Sequence, residues 1–175
     1  MDADVQIVWD HVQINKILAT YCRAIDRCDK ELLRSVYWPD AREDHGIFNG
    51  NAWEFAEFII PLLSGMKSTM HQISNVLIDL HGNHAAVETY VVAYHSVPQA
   101  DGSMADLIVG GRYVDEFERR GGVWRISHRT FVMDWNQNQP STAIWDSGLF
   151  EQLKVRGSHD HGDPSYQLFG KRPAP

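Results

Sequence analysis

The hydrophobic pattern of the chain changes its period near the middle, and this change limits the fold more than any other feature. Four segments of the second half are rich in Val, Ile, Thr, Tyr and Phe, which favour strands. They cover residues 67–80, 84–97, 105–119 and 122–135. Short runs containing Gly, Asn or Asp separate them, as in β-hairpins. The second half is therefore predicted to form four long antiparallel strands in chain order.

The first half begins with the period of helices. Apolar residues recur at steps of three and four over residues 5–25, which predicts an amphipathic helix. Asp29 can cap a short second helix over residues 30–36. The sequence Trp-Pro-Asp at residues 38–40 is expected to end that helix in a turn.

A short strand and a third helix are expected before the long strands. Residues 42–48 are predicted as the strand, and Asn49-Gly50 is a strong turn signal that would close it. The third helix is expected over residues 51–63, with Pro61 late in it, where proline can bend a helix.

Three helices followed by four strands predict an α+β domain. Gly110-Gly111 lies inside the third long strand, which predicts a bulge or bend where the sheet curls. Beyond Trp135 the chain is rich in Gln, Asn, Ser, Gly and Pro. We therefore expect residues 1–140 to form the domain and residues 141–175 a tail that packs on it or on a neighbouring subunit.

Length and charge restrict the class of protein. A chain of 175 residues fits one domain, and a formal net charge of −7 disfavours nucleic acid and anionic membranes as partners. Cys22 and Cys28 lie six residues apart in a helical pattern and are expected to be free, reduced thiols. The sequence shows neither a secretory signal nor an apolar run of about 20 residues, so a cytoplasmic location is expected.

The residues that could carry chemistry indicate acid–base catalysis. The sequence contains no Gly-rich phosphate loop, no Cys-rich metal spacing and no Gly-x-Ser-x-Gly elbow. Asp26 ends the apolar face of the first helix, so its carboxylate is expected to point inward, where it needs a partner. His71 begins a strand with apolar neighbours. A His–Asp pair would hold the imidazole in one tautomer and form a general base.

Three segments together resemble the SnoaL-like branch of the NTF2-like superfamily, which includes scytalone dehydratase, hexachlorocyclohexane dehydrochlorinase and bile-acid dehydratase. They are YCRAID at residues 21–26, MHQISN at 70–75 and WRISHR at 124–129. The resemblance implies a cone-shaped fold, in which three helices pack on a strongly curved, mainly antiparallel sheet around an apolar pocket. It also implies a catalytic pair at Asp26 and His71, and no cofactor.

The resemblance assigns auxiliary roles to three further residues. Tyr21 would help the leaving group, His95 would be a second pocket histidine, and Arg129 would be a pocket arginine. The residues themselves leave other readings open: Tyr21 could be a core aromatic, His95 could lie at the rim of the sheet, and Arg129 could form a surface ion pair.

These features predict a cofactor-independent lyase that acts on a small hydrophobic aromatic or alicyclic compound. Elimination of water, retro-aldol release of a small aldehyde and double-bond isomerisation, or a related cyclisation, all begin with the same proton transfer. A ligand-binding or assembly module of the same fold is the alternative from another class. It would not need Asp26 and His71 to meet.

Several other residues receive weaker expectations. His45 could touch the pocket mouth, but a place in a turn is favoured. The segment 159–163, with two histidines, is expected to be solvated, and no metal is expected. We expect a homo-oligomer, either a dimer or a trimer, because a curled sheet has an outer face to cover and the chain has more aromatic residues than its core requires. The aromatic residues at or beyond the last strand are Trp135, Trp145, Phe150 and Phe169.

Overall fold

The computed structural model describes residues 2–170. Its helices are α1 (Ala3–Asp26), α2 (Lys30–Ser35), α3 (Ala52–Ser64), α4 (Gly148–Glu151) and α5 (Pro164–Gly170). Its strands are β1 (Tyr37–Asp44), β2 (Asn49–Asn51), β3 (Ser68–His81), β4 (His84–Pro98), β5 (Met104–Arg120) and β6 (Val123–Pro140). The predicted α+β class is confirmed, with α1 to α3 packed on a curved, mostly antiparallel sheet.

The sheet is built from the four long strands and one short hairpin. Its strand order is β2-β1-β6-β5-β4-β3. Strands β3 to β6 pair antiparallel with their neighbours in chain order, as predicted, whereas β1 pairs parallel with β6. The parallel pairing was not expected from the sequence, and it places β1 and β3 near opposite edges of the sheet.

The predicted irregularity in β5 is present. The register between β5 and β6 shifts between Gly110 and Gly111. A Cβ atom on Gly111 would lie 2.3 Å from the carbonyl oxygen of Val132, and one on Gly110 would lie 2.0 Å from the indole of Trp135. Both positions therefore require glycine because neighbouring groups occupy the space of a side chain.

Side-chain caps explain where the helices begin. The Asp29 carboxylate accepts a hydrogen bond from the Leu32 N–H at 3.0 Å, and the Asn51 side chain accepts one from the Trp53 N–H at 2.8 Å. Such caps satisfy free N–H groups of the first turn. Helix α3 continues through Pro61 as far as Ser64.

Two predicted turns are wrong. The sequence at residues 38–40 lies inside β1 rather than in a turn, and Asn49-Gly50 lies in β2. Pro39 is tolerated because β1 has no ladder partners between Tyr37 and Arg42, so the missing N–H breaks no strand pair. The hairpin turn instead covers residues 45–48, where the His45 N–H donates to the Phe48 carbonyl at 2.8 Å.

The core lies between the helices and the concave face of the sheet. Helix α1 buries Ile14, Leu18, Tyr21 and Ile25, each no more than 2% exposed, which is the apolar face that the sequence predicted. Asp10 joins this helix to the sheet, because its carboxylate accepts hydrogen bonds from Arg119 and from the Trp124 indole.

The tail returns to the end of α1. Arg27 Nη1 lies 2.9 Å from Asp163 Oδ2, and the Tyr166 hydroxyl donates to Asp29 at 2.7 Å. Strand β6 reaches Pro140, five residues beyond the predicted end of the last strand. The division at residue 140 and any contact of the tail with a second subunit stay predictions.

Two further sequence expectations concern the thiols and the membrane. Cys22 and Cys28 are both free, as expected. Within residues 2–170, no helix has the length and apolar character needed to span a bilayer.

Candidate active site

A cavity of about 570 Å³ lies between the concave face of the sheet and helices α1 and α3. We call it the central cavity. Its lining residues are Tyr21, Ile25, His45, Gly46, Ile47, Phe55, Ile59, Leu62, Leu63, Met66, His71, Ala93, His95, Leu107, Val109, Tyr113, Phe131 and Met133. The lining is mostly apolar, and its polar side chains are three histidines and two tyrosines. A site of this kind is suited to a small hydrophobic compound held by a few polar groups.

Asp26 and His71 are in contact at the wall of the central cavity, as predicted. Asp26 Oδ1 lies 2.8 Å from His71 Nδ1, and Oδ2 accepts the backbone N–H of His71 at 2.9 Å. The hydroxyl of Thr69 also donates to Oδ1, at 3.1 Å. The last turn of α1 thus holds the first residues of β3. Because Asp26 occupies Nδ1, Nε2 is the ring nitrogen left for a ligand.

The Asp26 carboxylate is stabilised in its charged form. Burial opposes its ionisation, but the hydrogen bonds from His71, the electrostatic interaction with its imidazole and the Thr69 hydroxyl outweigh that effect and lower its pKa. A charged Asp26 can compensate a positive charge on His71 after the imidazole takes up a proton.

His95 lies beside His71 in the same cavity. The two rings meet edge to face, with their centroids 5.2 Å apart. Burial lowers the pKa of His95 to about 4, and the neighbouring His71 imidazole acts in the same direction. His95 is therefore neutral near pH 7 and can donate or accept one hydrogen bond without carrying charge.

Tyr21 lines the cavity and belongs to a cluster of tyrosines. Its ring packs edge-on against Tyr113, with centroids 5.3 Å apart, and against Tyr37 at 6.2 Å. Burial raises the pKa of Tyr21, and the charge of Glu43 adds to the increase. The phenol therefore stays neutral and keeps its proton.

Arg129 lies behind this cluster and not at the cavity surface. Its side chain is 0% exposed and donates to both oxygens of Asp115, at 2.7 and 2.6 Å. The guanidinium lies 4.0 Å from the ring centroids of both Tyr21 and Tyr113. The structure thus corrects both sequence expectations, because Arg129 neither lines the pocket nor forms a surface ion pair.

His45 occupies both of the places that the sequence left open. It does begin the turn after β1, but its ring also lines the central cavity, stacked between Phe55 and Phe131 with centroids 5.1 and 4.9 Å away. Its Nδ1 lies 2.8 Å from Oε1 of Glu43. The signal available in the sequence was the i, i+2 spacing of Glu43 and His45, which places two residues on one face of a strand.

The tail histidines do not form a metal site. Within residues 2–170, no group of three or more His, Cys, Asp or Glu side chains is arranged to hold a metal ion. His161 instead packs on the Tyr166 ring at 4.3 Å and lies 3.5 Å from Asp29. His161 is 77% exposed, as expected for a solvated segment, although it also lies beside Asp29 of the domain.

The structure is an α+β domain in which helices close a curved sheet over a largely apolar cavity. The model of the SnoaL-like domain matches residues 6–130. The chain belongs to the SnoaL-like domain family, which confirms the resemblance found in the sequence.

Individual proteins are similar to this chain in sequence or in structure. An uncharacterized protein of Mycobacterium tuberculosis is 26% identical over 123 residues, covering 69% of this chain and 82% of that protein. The structure of a type 3 hexachlorocyclohexane dehydrochlorinase from Novosphingobium barchaimii has a TM-score of 0.70 and 19% identity, covering 81% of this chain and 97% of that one. The structure of a proposed scytalone dehydratase from Novosphingobium aromaticivorans has a TM-score of 0.68 and 20% identity. This match covers 81% of this chain and 94% of that one. At these identities the structural likeness shows the fold.

Proposed function

We propose that the protein is a cofactor-independent lyase that eliminates water, or a comparable leaving group, from a small hydrophobic aromatic or alicyclic compound. The observation that carries this proposal is the His71 ring, fixed through Nδ1 by Asp26 at 2.8 Å at the wall of a mostly apolar cavity. A general base must be oriented and must face its substrate. His71 meets the first requirement through Asp26 and the second through its place in the cavity lining.

The reaction begins with proton transfer to His71. Nε2 takes a proton from a substrate carbon next to an electron-withdrawing group, and Asp26 compensates the charge of the resulting imidazolium. The electron pair of the broken C–H bond forms a double bond as the bond to the leaving group breaks. The apolar lining keeps water away from the substrate, which strengthens each electrostatic contact.

Tyr21 and His95 stabilise the negative charge that develops on the substrate. Both line the cavity, and each can donate a hydrogen bond while uncharged. Arg129 acts as a positioning residue, because it holds the rings of Tyr21 and Tyr113 from behind. These roles are proposals from the geometry.

The relatives support elimination as the reaction class. One structural neighbour is named a hexachlorocyclohexane dehydrochlorinase and another a proposed scytalone dehydratase, and both names describe eliminations. Retro-aldol cleavage and double-bond isomerisation begin with the same proton transfer, so identification of the product distinguishes them.

The test is a turnover screen of hydroxylated aromatic and alicyclic compounds, with product analysis by mass spectrometry. Each compound is assayed with and without EDTA, and the proposal predicts equal rates. His81→Gln is the matched control for a substitution of His71. His81 also lies in β3 and pairs with an aspartate, Asp79, at 3.0 Å, but both side chains are exposed. Binding without turnover across the screen would favour a ligand-binding module and contradict the proposed lyase.

A further inference from the structure

The central cavity contains a second histidine held by a buried carboxylate. Glu43 is 1% exposed, and its two oxygens have different partners. Oε1 lies 2.8 Å from His45 Nδ1, and Oε2 accepts the Tyr37 hydroxyl at 2.6 Å. The arrangement repeats the contact between Asp26 and His71, with the carboxylate again on Nδ1.

The buried Arg129 guanidinium is hydrogen-bonded to Asp115 rather than to Glu43. Glu43 and His128 both lie close enough to Asp115 to affect its titration, and the ion-pair partner of Glu43 itself is His45. A buried charge requires compensation, and a protonated His45 would supply it.

The position of His45 suits proton transfer to a ligand. Phe55 and Phe131 fix the plane of its ring on both faces. With Nδ1 turned to Glu43, Nε2 is the nitrogen available to the cavity. His45 follows β1 and His71 lies in β3, which are near opposite edges of the sheet. The two imidazoles are thus placed by different strands of the sheet, so the acid and the base can be separate residues of the site.

The other polar groups of the site are poorer proton donors. Burial raises the pKa values of Tyr21 and Tyr113, so both phenols hold their protons tightly. Burial lowers the pKa of His95 to about 4, so that ring carries no extra proton near pH 7. Arg129 does not reach the cavity surface.

We propose that His45 is the general acid of the site, with Glu43 and Tyr37 as positioning residues. This proposal rests on the elimination proposed above and names the residue that protonates the leaving group. His71 takes the proton from carbon, the bond to the leaving oxygen breaks, and that oxygen receives the Nε2 proton of His45 and departs as water. His71 then carries one more proton and His45 one fewer, and exchange with solvent restores both.

Two compounds with one carbon skeleton test the proposal. β-Hydroxypropiophenone and β-chloropropiophenone both give phenyl vinyl ketone, which is followed by its ultraviolet absorbance. Hydroxide needs a proton to leave, whereas chloride does not. His45→Gln should lower turnover of the hydroxy compound by about 10² or more, while turnover of the chloro compound changes by less than about fivefold.

The other variants separate the acid from the base and from structural damage. His71→Gln should lower turnover of both compounds, because both need the base. Glu43→Gln should show the same dependence on the leaving group as His45→Gln, to a smaller extent, which a loss of structure alone would not produce. If His45→Gln lowers turnover of both compounds equally, or lowers turnover of neither, the proposal is overturned.

An outcome in which the wild type turns over neither compound counts against the proposed elimination for this substrate class. The role of His45 is then decided by NMR of protein with ¹⁵N-labelled histidine, with β-hydroxypropiophenone added as the probe. A shift of the His45 Nε2 resonance that Glu43→Gln abolishes supports the proposed donor. An Nε2 resonance that the probe leaves unchanged, while other cavity resonances move, overturns it.

Discussion

Asp26 binds His71 through both of its carboxylate oxygens, one to the ring and one to the backbone. Oδ1 lies 2.8 Å from Nδ1, and Oδ2 accepts the N–H at 2.9 Å. The same carboxylate therefore orients the imidazole and fixes the start of β3 on the end of α1. We expect substitutions of Asp26 to affect both stability and turnover.

The stability that Asp26 contributes should depend on pH in a defined direction. Its pKa is lower in the folded protein, so its contribution is present above the unfolded pKa of about 4 and is lost as the pH falls through the folded value. The difference in Tm between wild type and Asp26→Asn should therefore shrink as the pH falls below about 4. Thermal unfolding followed by circular dichroism measures it, and a difference that grows toward low pH would contradict the assignment.

His95 should remain uncharged over the range in which histidines ordinarily titrate. Its pKa is about 4 when folded because it is buried and lies beside His71, and about 6.5 when unfolded. The folded state therefore binds fewer protons between these values, so its contribution to stability is full above about pH 6.5 and declines toward about pH 4. Histidine NMR should show no titration of His95 above about pH 5. A midpoint near pH 6.5 would refute the expected neutral ring.

Removal of the buried Arg129 charge should be strongly destabilising. Arg129→Met leaves Asp115 buried and unpaired, and such a change costs about 3–5 kcal/mol in free energy of unfolding. Arg112→Met is the matched control, because Arg112 also contacts both oxygens of an aspartate, Asp134, but at a surface site. Arg112→Met should lower the free energy of unfolding by about 1 kcal/mol or less. Urea unfolding of both variants measures the difference, and equal losses would contradict this account.

We expect the protein to form a homo-oligomer, a dimer or a trimer. Large apolar side chains of β3 to β6 are exposed in the single chain, among them Met70 at 63%, Val92 at 42% and Trp135 at 46%. A second subunit would cover such a surface. Light scattering at micromolar concentration should give a multiple of 20.0 kDa, and Val92→Glu should reduce that mass. A wild-type monomer would disagree with this expectation.

The sequence was informative wherever a local pattern decided the structure. The helical spacing before Asp26 predicts which way its carboxylate points, and a buried carboxylate needs a partner, so the contact with His71 could be anticipated. Gly110 and Gly111 likewise marked the irregular position in β5, because close neighbours exclude a side chain at both.

The features that the sequence missed depend on contacts between distant segments. Pro39 lies in a strand because β1 has no ladder partner there, and no local signal predicts the parallel pairing of β1 with β6. That pairing, together with α3, brings Phe131 and Phe55 to the two faces of the His45 ring. Arg129 turns inward because its cross-strand partner is the buried Asp115.

The most direct test of the proposed chemistry compares wild type, His71→Gln and Asp26→Asn on a compound that the screen identifies as a substrate. The measurement is kcat/KM, with circular dichroism to verify that each variant is folded and with His81→Gln as the control. General base catalysis contributes about 10² to 10⁴, so both site variants should lose at least about 10² in kcat/KM while the control retains the wild-type value. Folded variants with wild-type kcat/KM would contradict the assignment of His71 as the base.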